Sequence, residues 1–260
     1  MFRKFRIAAL LLILLVVAVG AWKAKVRITS WERTVYVAIY PIVADSALET
    51  AQFVRALKTE DFSSIEIWVQ REFQRYGIPL QHPVRILLAP ETRGKPPAPP
   101  MRGSMSRIIL WSLKMRWWAF RHDDMGPNNT IRNPQVRMFV LFHAPTPGKL
   151  LPHSTGLKEG RIGIVHAFAH AGQGGQNSVV IAHELLHTFG ATDKYDFSTL
   201  QPYHPEGYAD PGQRPLLPQT RAEIMAGRIP KRPDYAEMPM GLAETIIGAA
   251  TAAEIGLAPR

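Results

Sequence analysis

Short runs of β-branched and aromatic residues recur along the chain and predict β-strands. The first run, residues 34–40, reads TVYVAIY, and we expect it to stop at Pro41 because proline cannot donate a backbone hydrogen bond within a sheet. Three later runs have a similar length and character. The predicted strands are residues 34–40, 84–89, 138–144 and 162–168.

Two other segments have apolar residues at helical spacing and predict helices. In the first, Ser63 and Glu66 have the spacing of a capping box, and Gly77 ends the segment. The second, residues 177–189, follows a glycine-rich turn. An alanine-rich stretch, residues 240–255, predicts a further helix near the C-terminus. Strand, helix, strand, strand, strand, helix is the order of an α+β fold with a mixed, twisted sheet.

Residues 7–22 form an unbroken apolar run, IAALLLILLVVAVGAW, with basic clusters on both sides. As a helix it would span about 24 Å, less than the hydrocarbon core of about 30 Å, so flanking side chains would have to extend it by snorkelling. We therefore interpret residues 1–29 as an N-terminal membrane anchor, with the body outside the cytoplasm as for an uncleaved export signal. The alternative is a cleavable signal peptide, for which Val19 and Ala21 are small enough, and which would make the body secreted.

The net charge of +10 is distributed unevenly. Residues 1–33 contain seven Lys or Arg and one Glu, which account for +6 and leave +4 for the rest of the chain. That remainder is a weak argument for a nucleic-acid partner, and we expect none. The 260 residues include no cysteine, which excludes a disulfide scaffold and a thiolate metal site.

Residues 107–121, RIILWSLKMRWWAFR, interleave aromatic and basic side chains after a proline-rich surface loop predicted at residues 92–102. We expect the aromatic residues to be core and the basic residues a solvated face, because such mixtures are common. Two functional alternatives stay open: contact with anionic lipid and binding of single-stranded nucleic acid. Lipid contact agrees better with a chain that has a predicted membrane segment.

The stretch VIAHELLHTFGATD, residues 180–193, contains the pattern H-E-x-x-H. His183 and His187 are four residues apart and so lie on one face of a helix, where both imidazoles can bind one zinc ion. Glu184 is placed to reach a water on that metal and to act as the catalytic general base. The flanking residues are uncharged, as expected for a helix buried behind an active site. Together these features predict a catalytic zinc site.

A third metal ligand is expected from the chain that follows this helix. Gly190 can end the helix through a positive φ angle, and Asp193 can then return to the metal. Asp196 and His204 compete with it, but Asp196 lies further along, and His204 stands in a proline-rich loop with no feature that fixes its position. The predicted metal ligands are His183, His187 and Asp193.

The pattern H-E-x-x-H-x-x-G-x-x-D resembles the extended motif of the metzincin zinc peptidases, in the snapalysin-like variant with aspartate as third ligand. The stretch EIMAG, residues 223–227, is similar to the methionine turn beneath the metal in that family, with Met225 as its methionine. The resemblance implies a zincin-like fold with an upper subdomain over residues 30–190, including the active-site helix, and a small irregular lower subdomain over residues 191–260. It also implies a protein or peptide substrate.

Some residues depart from the family's pattern. Certain metzincins have a tyrosine two residues after the methionine, where this chain has Gly227. The tyrosines that are nearby in sequence, and that nothing assigns to that role, are Tyr195, Tyr203 and Tyr208. His166 and His170 precede the helix on a predicted edge strand, where a family member would align extended substrate. We expect both to be ordinary polar residues rather than metal ligands.

The sequence thus favours a membrane-anchored zinc metalloendopeptidase that cleaves peptide bonds with a zinc-bound water and Glu184 as base. The alternative is a catalytically silent, membrane-tethered binding protein on the same fold, with a structural zinc. A structural site is closed by four protein ligands and needs no base, so the presence of Glu184 favours the enzyme.

Overall fold

The computed structural model describes Arg6 and residues 30–257, apart from residues 101–103, 128–130, 132, 147, 149–150 and 159. The predicted membrane segment, residues 7–22, lies outside this part of the chain. Within the described part, no helix is both long and apolar enough to span a bilayer.

A five-stranded mixed sheet forms the centre of the fold. Its strands are β1 (Val35–Val43), β2 (Val84–Leu88), β3 (Val136–His143), β4 (Thr155–Leu157) and β5 (Ile162–Phe168). The order is β2-β1-β3-β5-β4, and all neighbours are parallel except the edge strand β4, which runs antiparallel to β5. The predicted α+β character and the four predicted strands are therefore confirmed.

β1 does not stop at Pro41, as we predicted, but continues to Val43. The N–H and C=O of one residue in a strand point to the same side, and the Pro41 carbonyl accepts a hydrogen bond from Thr92 N, 2.8 Å away on the β2 side. β2 has already ended at Leu88, so the missing N–H of Pro41 removes no bond between strands. The predicted end of β1 was wrong because proline interrupts a strand only where a neighbouring strand needs its N–H, and the sequence does not show where β2 ends.

The edge strand β4 was not predicted. It is three residues long, contains Gly156 and is defined by its pairing with β5. β5, which carries His166, therefore lies between β3 and β4, and His170 lies beyond the end of β5. The prediction that these two histidines lie on an edge strand is wrong, because the order of strands in a sheet cannot be read from local pattern.

Within residues 30–257, five α-helices pack around the sheet: α1 (Leu48–Ala56), α2 (Ser63–Arg75), α3 (Met105–Arg121), α4 (Gly174–Phe189) and α5 (Ala249–Glu254). α2 and α4 confirm the two helices predicted from apolar spacing. The predicted capping box is wrong, since the 3-10 turn Thr59–Phe62 leads directly into α2 and no side chain caps its N-terminus. The Glu66 carboxylate instead accepts a hydrogen bond from Ile86 N in β2.

Beyond residue 190 the chain is mostly irregular. Two small sheets interrupt it, β6 (Ala222–Glu223) with β9 (Thr245–Ile246), and β7 (Ile229–Arg232) with β8 (Tyr235–Glu237). The helix predicted over residues 240–255 is wrong in extent, since α5 is its only α-helical part. Gly241 and Gly248 have extended backbone, which breaks the helix that the alanine-rich composition predicted.

The sheet has a hydrophobic cluster on each face. The larger cluster contains side chains of α1, α2, α4 and the C-terminal region, including Trp68, Phe73 and Leu185. The smaller cluster lies under α3 and includes Trp111 and Met115. The sheet therefore separates α4, which carries the H-E-x-x-H residues, from α3.

The interleaved basic and aromatic residues 107–121 form most of α3, which was not predicted as a helix. Trp111 is buried as expected, and Trp118 is half-buried. Trp117 and Phe120 are exposed, so the prediction that the aromatic residues are core is wrong for these two. Their exposure gives α3 an apolar surface that is not part of the hydrophobic core.

Candidate metal and active site

α4 carries two of the predicted ligands on a helix that is largely buried. Leu185 and Leu186 pack into the larger hydrophobic cluster, while His183 and His187 remain half-buried one turn apart. The edge strand β4 approaches α4 closely at Gly156, where an added Cβ would lie 2.4 Å from His187 Cβ and 2.7 Å from the Glu184 carbonyl oxygen. This approach requires glycine and places the sheet edge directly beside His187 and Glu184.

Three potential ligand atoms converge on one point. The Nε2 atoms of His183 and His187 are 3.1 Å apart, and Asp193 Oδ1 lies 3.1 Å from the first and 3.2 Å from the second. Ligands bound at 2.0–2.1 Å to a tetrahedral ion are separated by about 3.3 Å. The triangle therefore has the size that one small divalent cation requires.

The turn at Gly190 brings Asp193 to this position. Gly190 has φ 114°, and its N–H donates to the carbonyls of Leu186 and His187, which ends α4 and reverses the chain. Lys194 N then donates to Met225 O at 3.1 Å, which fixes the segment after Asp193. The predicted helix stop is thus present, and the chain after it returns to the imidazoles.

The two competing ligands are placed elsewhere. Asp196 is half-buried, and its Oδ1 accepts hydrogen bonds from Ser198 N and Thr199 N at 2.8 and 2.9 Å. His204 is exposed and packs edge-on against Tyr208, with ring centroids 5.1 Å apart. Both side chains are occupied by local contacts, and neither is among the atoms that meet His183 and His187.

Backbone carbonyls orient both imidazoles. His183 Nδ1 lies 2.9 Å from Ile224 O, and His187 Nδ1 lies 2.9 Å from Ala191 O. A carbonyl oxygen can only accept, so each Nδ1 carries the proton and donates it. In a neutral ring Nε2 then presents a lone pair, which is the tautomer that a metal ligand needs.

This tautomer leaves acceptor atoms facing one another. The buried oxygens Asp193 Oδ1 and Glu184 Oε2 have no hydrogen-bond partner in the described structure. Unpartnered buried carboxylate oxygens are costly unless a cation or a proton compensates them. Here two such oxygens lie beside the Nε2 lone pairs of His183 and His187, and no described group compensates their negative charge. A divalent cation bound between these atoms would do so.

The pKa values at the centre reflect the same deficit of positive charge. Burial lowers the pKa of the His183 imidazole, but the Asp193 and Glu184 carboxylates outweigh burial and raise it to about 9. Burial raises the pKa of Asp193, yet the two imidazoles, which can donate hydrogen bonds to its carboxylate when they are protonated, hold it far below its usual range. The three groups together therefore attract one cation.

Glu184 is the buried carboxylate next to the triangle. Its side chain is 4% exposed, and its ligand-capable oxygen lies within 4.8 Å of those of His183 and His187. Burial raises its pKa, which the nearby histidines partly offset. A carboxylate with a raised pKa at this place is suited to accept and return a proton.

Met225 lies in a buried turn against His183. It is fully buried, and the turn contributes the Ile224 carbonyl that orients His183. Glu223 fixes the turn from inside: its carboxylate accepts from Met225 N at 2.7 Å, Ala226 N at 3.0 Å, Gly248 N at 3.1 Å and Thr251 Oγ1 at 2.8 Å. Our sequence analysis missed this role, for which a lone glutamate in an apolar stretch was the available signal.

The remaining histidines and tyrosines are distributed around the centre. His166 Nδ1 lies 2.8 Å from His143 Nε2, and burial lowers the pKa of His166 to about 4. His170 accepts from Gly172 N in the turn that leads into α4. Tyr195 is buried, and burial together with the carboxylates Asp193 and Glu184 raises its pKa to about 12, whereas Tyr203 is exposed.

The arrangement comprises a potential tridentate cation site, an adjacent buried carboxylate and a sheet edge. This combination is suited to metal-assisted hydrolysis of an extended chain. A functional conclusion has to rest on this geometry alone. Comparison with protein-family models and with curated proteins finds no match to the chain.

Proposed function

We propose that this chain is a metzincin-like, zinc-dependent metalloendopeptidase held at a membrane by its N-terminal segment. The observation that carries the proposal is the triangle of His183 Nε2, His187 Nε2 and Asp193 Oδ1, with sides of 3.1–3.2 Å, next to the unpartnered carboxylate of Glu184. If the H-E-x-x-H pattern had arisen by chance, there would be no reason for Asp193 to lie beside both of its histidines.

His183, His187 and Asp193 would hold the zinc ion. Two imidazoles and one carboxylate suit zinc, and the chain has no thiolate to offer. When bound, zinc supplies a Lewis acid that polarises the scissile carbonyl and makes water more acidic. The Ile224 and Ala191 carbonyls keep both rings in the ligating tautomer.

Glu184 would perform the proton transfers. Its carboxylate accepts a proton from the attacking water as the new C–O bond forms, and passes that proton to the nitrogen as the C–N bond breaks. Burial favours the protonated carboxyl midway through this sequence, because burial raises its pKa. The products are a carboxylic acid and an amine, and no redox partner is required.

The edge strand β4 supports a peptide substrate. Among the described residues β4 pairs with β5 alone, which leaves its outer edge for an added strand. Gly156 in β4 lies next to the Glu184 backbone, so a peptide paired along this edge would pass the candidate centre. Binding in the middle of an extended chain is the mode of an endopeptidase.

The alternative function is a silent binding protein with structural zinc. Glu184 is the observation that could favour it, because its oxygen is close enough to the two imidazoles to become a fourth ligand. A site closed in this way would have no open position and no base. Glu184 is therefore a general base in the peptidase and a metal ligand in the binding protein, and a single substitution at this position distinguishes the two functions.

The deciding experiment compares Glu184→Gln with the wild-type full chain. We expect the variant to retain zinc by elemental analysis but to lose about 10²- to 10⁴-fold of its rate on an unbiased peptide library. Glu60→Gln, at an exposed glutamate, is the matched control and should leave both readings unchanged. Loss of zinc from the variant, together with an uncut library in the zinc-loaded wild type, would establish the binding protein instead.

A further inference from the structure

α3 has an apolar face that points away from the protein. Trp111, Met115 and Ala119 are buried against the sheet at intervals of four residues. Six large apolar side chains on the outward side are 54–73% exposed: Met105, Ile109, Leu110, Leu113, Trp117 and Phe120. At about 100° per residue they lie within an arc of about 140°, which also contains Ser106 and Arg116. An exposed apolar surface of this kind marks an interaction site.

The orientation of α3 is fixed by its inward contacts. Trp111 Nε1 donates to Pro97 O at 2.9 Å, and Trp118 packs edge-on against Phe139 with centroids 4.8 Å apart. Just beyond the helix, the Asp123 carboxylate accepts from Tyr40 and pairs with Arg137. Rotating the helix to bury its outward face would break these contacts, so the exposed face is a stable feature of the fold.

The charge on α3 indicates the chemistry of its partner. The basic residues Arg107, Lys114, Arg116 and Arg121 are all exposed, and the helix contains no Asp or Glu. Three of them, Arg107, Lys114 and Arg121, border the apolar arc on one side at helical spacing. An apolar, tryptophan-containing face with a purely basic border is complementary to an anionic lipid surface, whose headgroups are negative and whose interior is apolar.

We propose that α3 is an interfacial helix that inserts its outward face into the headgroup region of an anionic lipid bilayer. The inference does not depend on the peptidase function. The apolar segment 7–22 of the same chain would keep α3 near a bilayer, so a modest intrinsic affinity suffices. Because the sheet separates α3 from α4, docking would place the sheet between the bilayer and the candidate centre. The site would then face solution.

The absence of cysteine allows a direct test with single labels. An environment-sensitive fluorophore is attached to the full chain at Leu113→Cys on α3 or, as control, at Ile67→Cys, a similarly exposed position on α2. Both proteins are reconstituted into phosphatidylcholine vesicles with and without phosphatidylglycerol. We expect nitroxide-labelled lipid to quench the label at 113 in phosphatidylglycerol vesicles, and high salt to reduce the quenching. The label at 67 should stay in water.

Variants on the same helix test each part of the surface. Lys114→Gln and Arg121→Gln in the Leu113→Cys background should each lower the docked-to-free ratio by about fivefold, the contribution of one basic residue near an anionic surface. Trp117→Ser with Phe120→Ser should also lower it. All four side chains are exposed, so thermal unfolding midpoints, zinc content and peptide hydrolysis should not change.

Three outcomes would overturn the inference. A label at 113 that reports water in every vesicle, as the control does, would exclude insertion of α3. Equal quenching without phosphatidylglycerol would remove the requirement for anionic lipid. A label that is shielded from water but not quenched by nitroxide lipid would show that protein covers α3, either a second copy or residues 1–29 of the same chain.

Discussion

At the scale of single residues, backbone contacts decide which side chains meet at the candidate centre. The Ile224 and Ala191 carbonyls set the two imidazoles, and the left-handed conformation of Gly190 returns Asp193 to them. The position of Asp193 beside the two imidazoles could be predicted from its spacing after Gly190. The contact between His183 and the Ile224 carbonyl could not, because it joins residues 41 positions apart along the chain.

Replacing Asp193 tests the proposed ligand set. Removal of a hydrogen-bonding partner of a ligand typically costs about 10- to 100-fold in metal affinity, so Asp193→Ala, which removes a direct ligand, should cost more. Asp193→His should retain zinc, since imidazole is itself a zinc ligand. His204→Ala is the control and should bind zinc like the wild type. Competition with a chromogenic chelator measures all three, and zinc loss in His204→Ala but not in Asp193→Ala would refute the ligand set.

Replacing Glu223 tests the buried support of the turn that contains Met225. Each of its oxygens accepts two hydrogen bonds, so in Glu223→Gln the amide NH₂ would face two donors. We expect the free energy of unfolding to fall by about 1–3 kcal/mol, the cost of buried polar groups that lose their partners. Zinc affinity should fall too, because the turn holds the Ile224 carbonyl against His183.

Glu244→Gln is the matched control for this change. Glu244 Oε2 accepts one exposed hydrogen bond, from Met240 N at 2.8 Å, so its replacement should leave the free energy of unfolding nearly unchanged. Chemical denaturation gives the free energies, and the chelator competition gives the zinc affinities. Equal stability of the two variants would show that Glu223 does not support the turn.

At the scale of secondary-structure elements, the contact between β4 and α4 depends on Gly156. An alanine Cβ there would lie 2.4 Å from His187 Cβ, closer than side chains can approach, so Gly156→Ala must push the edge strand away from the helix. Overpacking of this kind costs about 1–3 kcal/mol. Peptide hydrolysis should fall as well, because the proposed substrate edge moves relative to Glu184.

The control for this change is Gly174→Ala at the start of α4, where an added Cβ meets nothing within 4 Å. That variant should be as stable as the wild type or slightly more stable, since alanine favours a helix. Thermal denaturation and library digestion measure both proteins. Full activity in Gly156→Ala would show that the position of β4 does not matter for peptide hydrolysis.

Elements with a strong local pattern were predictable, and elements defined by their neighbours were not. α2 and α4 have apolar residues at helical spacing, and β1 and β3 are apolar runs that are buried on both faces, so local pattern alone found them. β4 has three residues and no pattern of its own. α3 was missed as a helix because apolar residues cover both its inward and its outward side, so they do not form the single apolar face that would reveal the period.

At the scale of the whole molecule, the sheet divides the surface into two sides with different proposed tasks. α4 and the C-terminal region pack on one face, and α3 packs on the other. The resemblance to metzincins led us to expect that Met225 would lie near the metal site, and the Ile224 carbonyl of the same turn does contact His183. No sequence pattern indicated that α3 would lie on the opposite face, because that arrangement follows from strand order.

The proposed role of residues 7–22 is to hold the whole protein, with α3 and α4 on opposite faces of the sheet, at a membrane. An uncleaved anchor predicts that the mature protein retains residues 7–22 and sediments with membranes after washing with high salt and with carbonate, because an apolar helix is not held by charge. Immunoblotting of the washed membranes measures retention, and N-terminal sequencing identifies the first residue. Replacing Leu12, Leu14 and Val17 with Asn should release the protein, since each polar side chain weakens insertion of an already short span. A mature N-terminus near Trp22, with the protein recovered in the soluble fraction, would show a cleaved signal peptide and leave α3 as the contact with lipid.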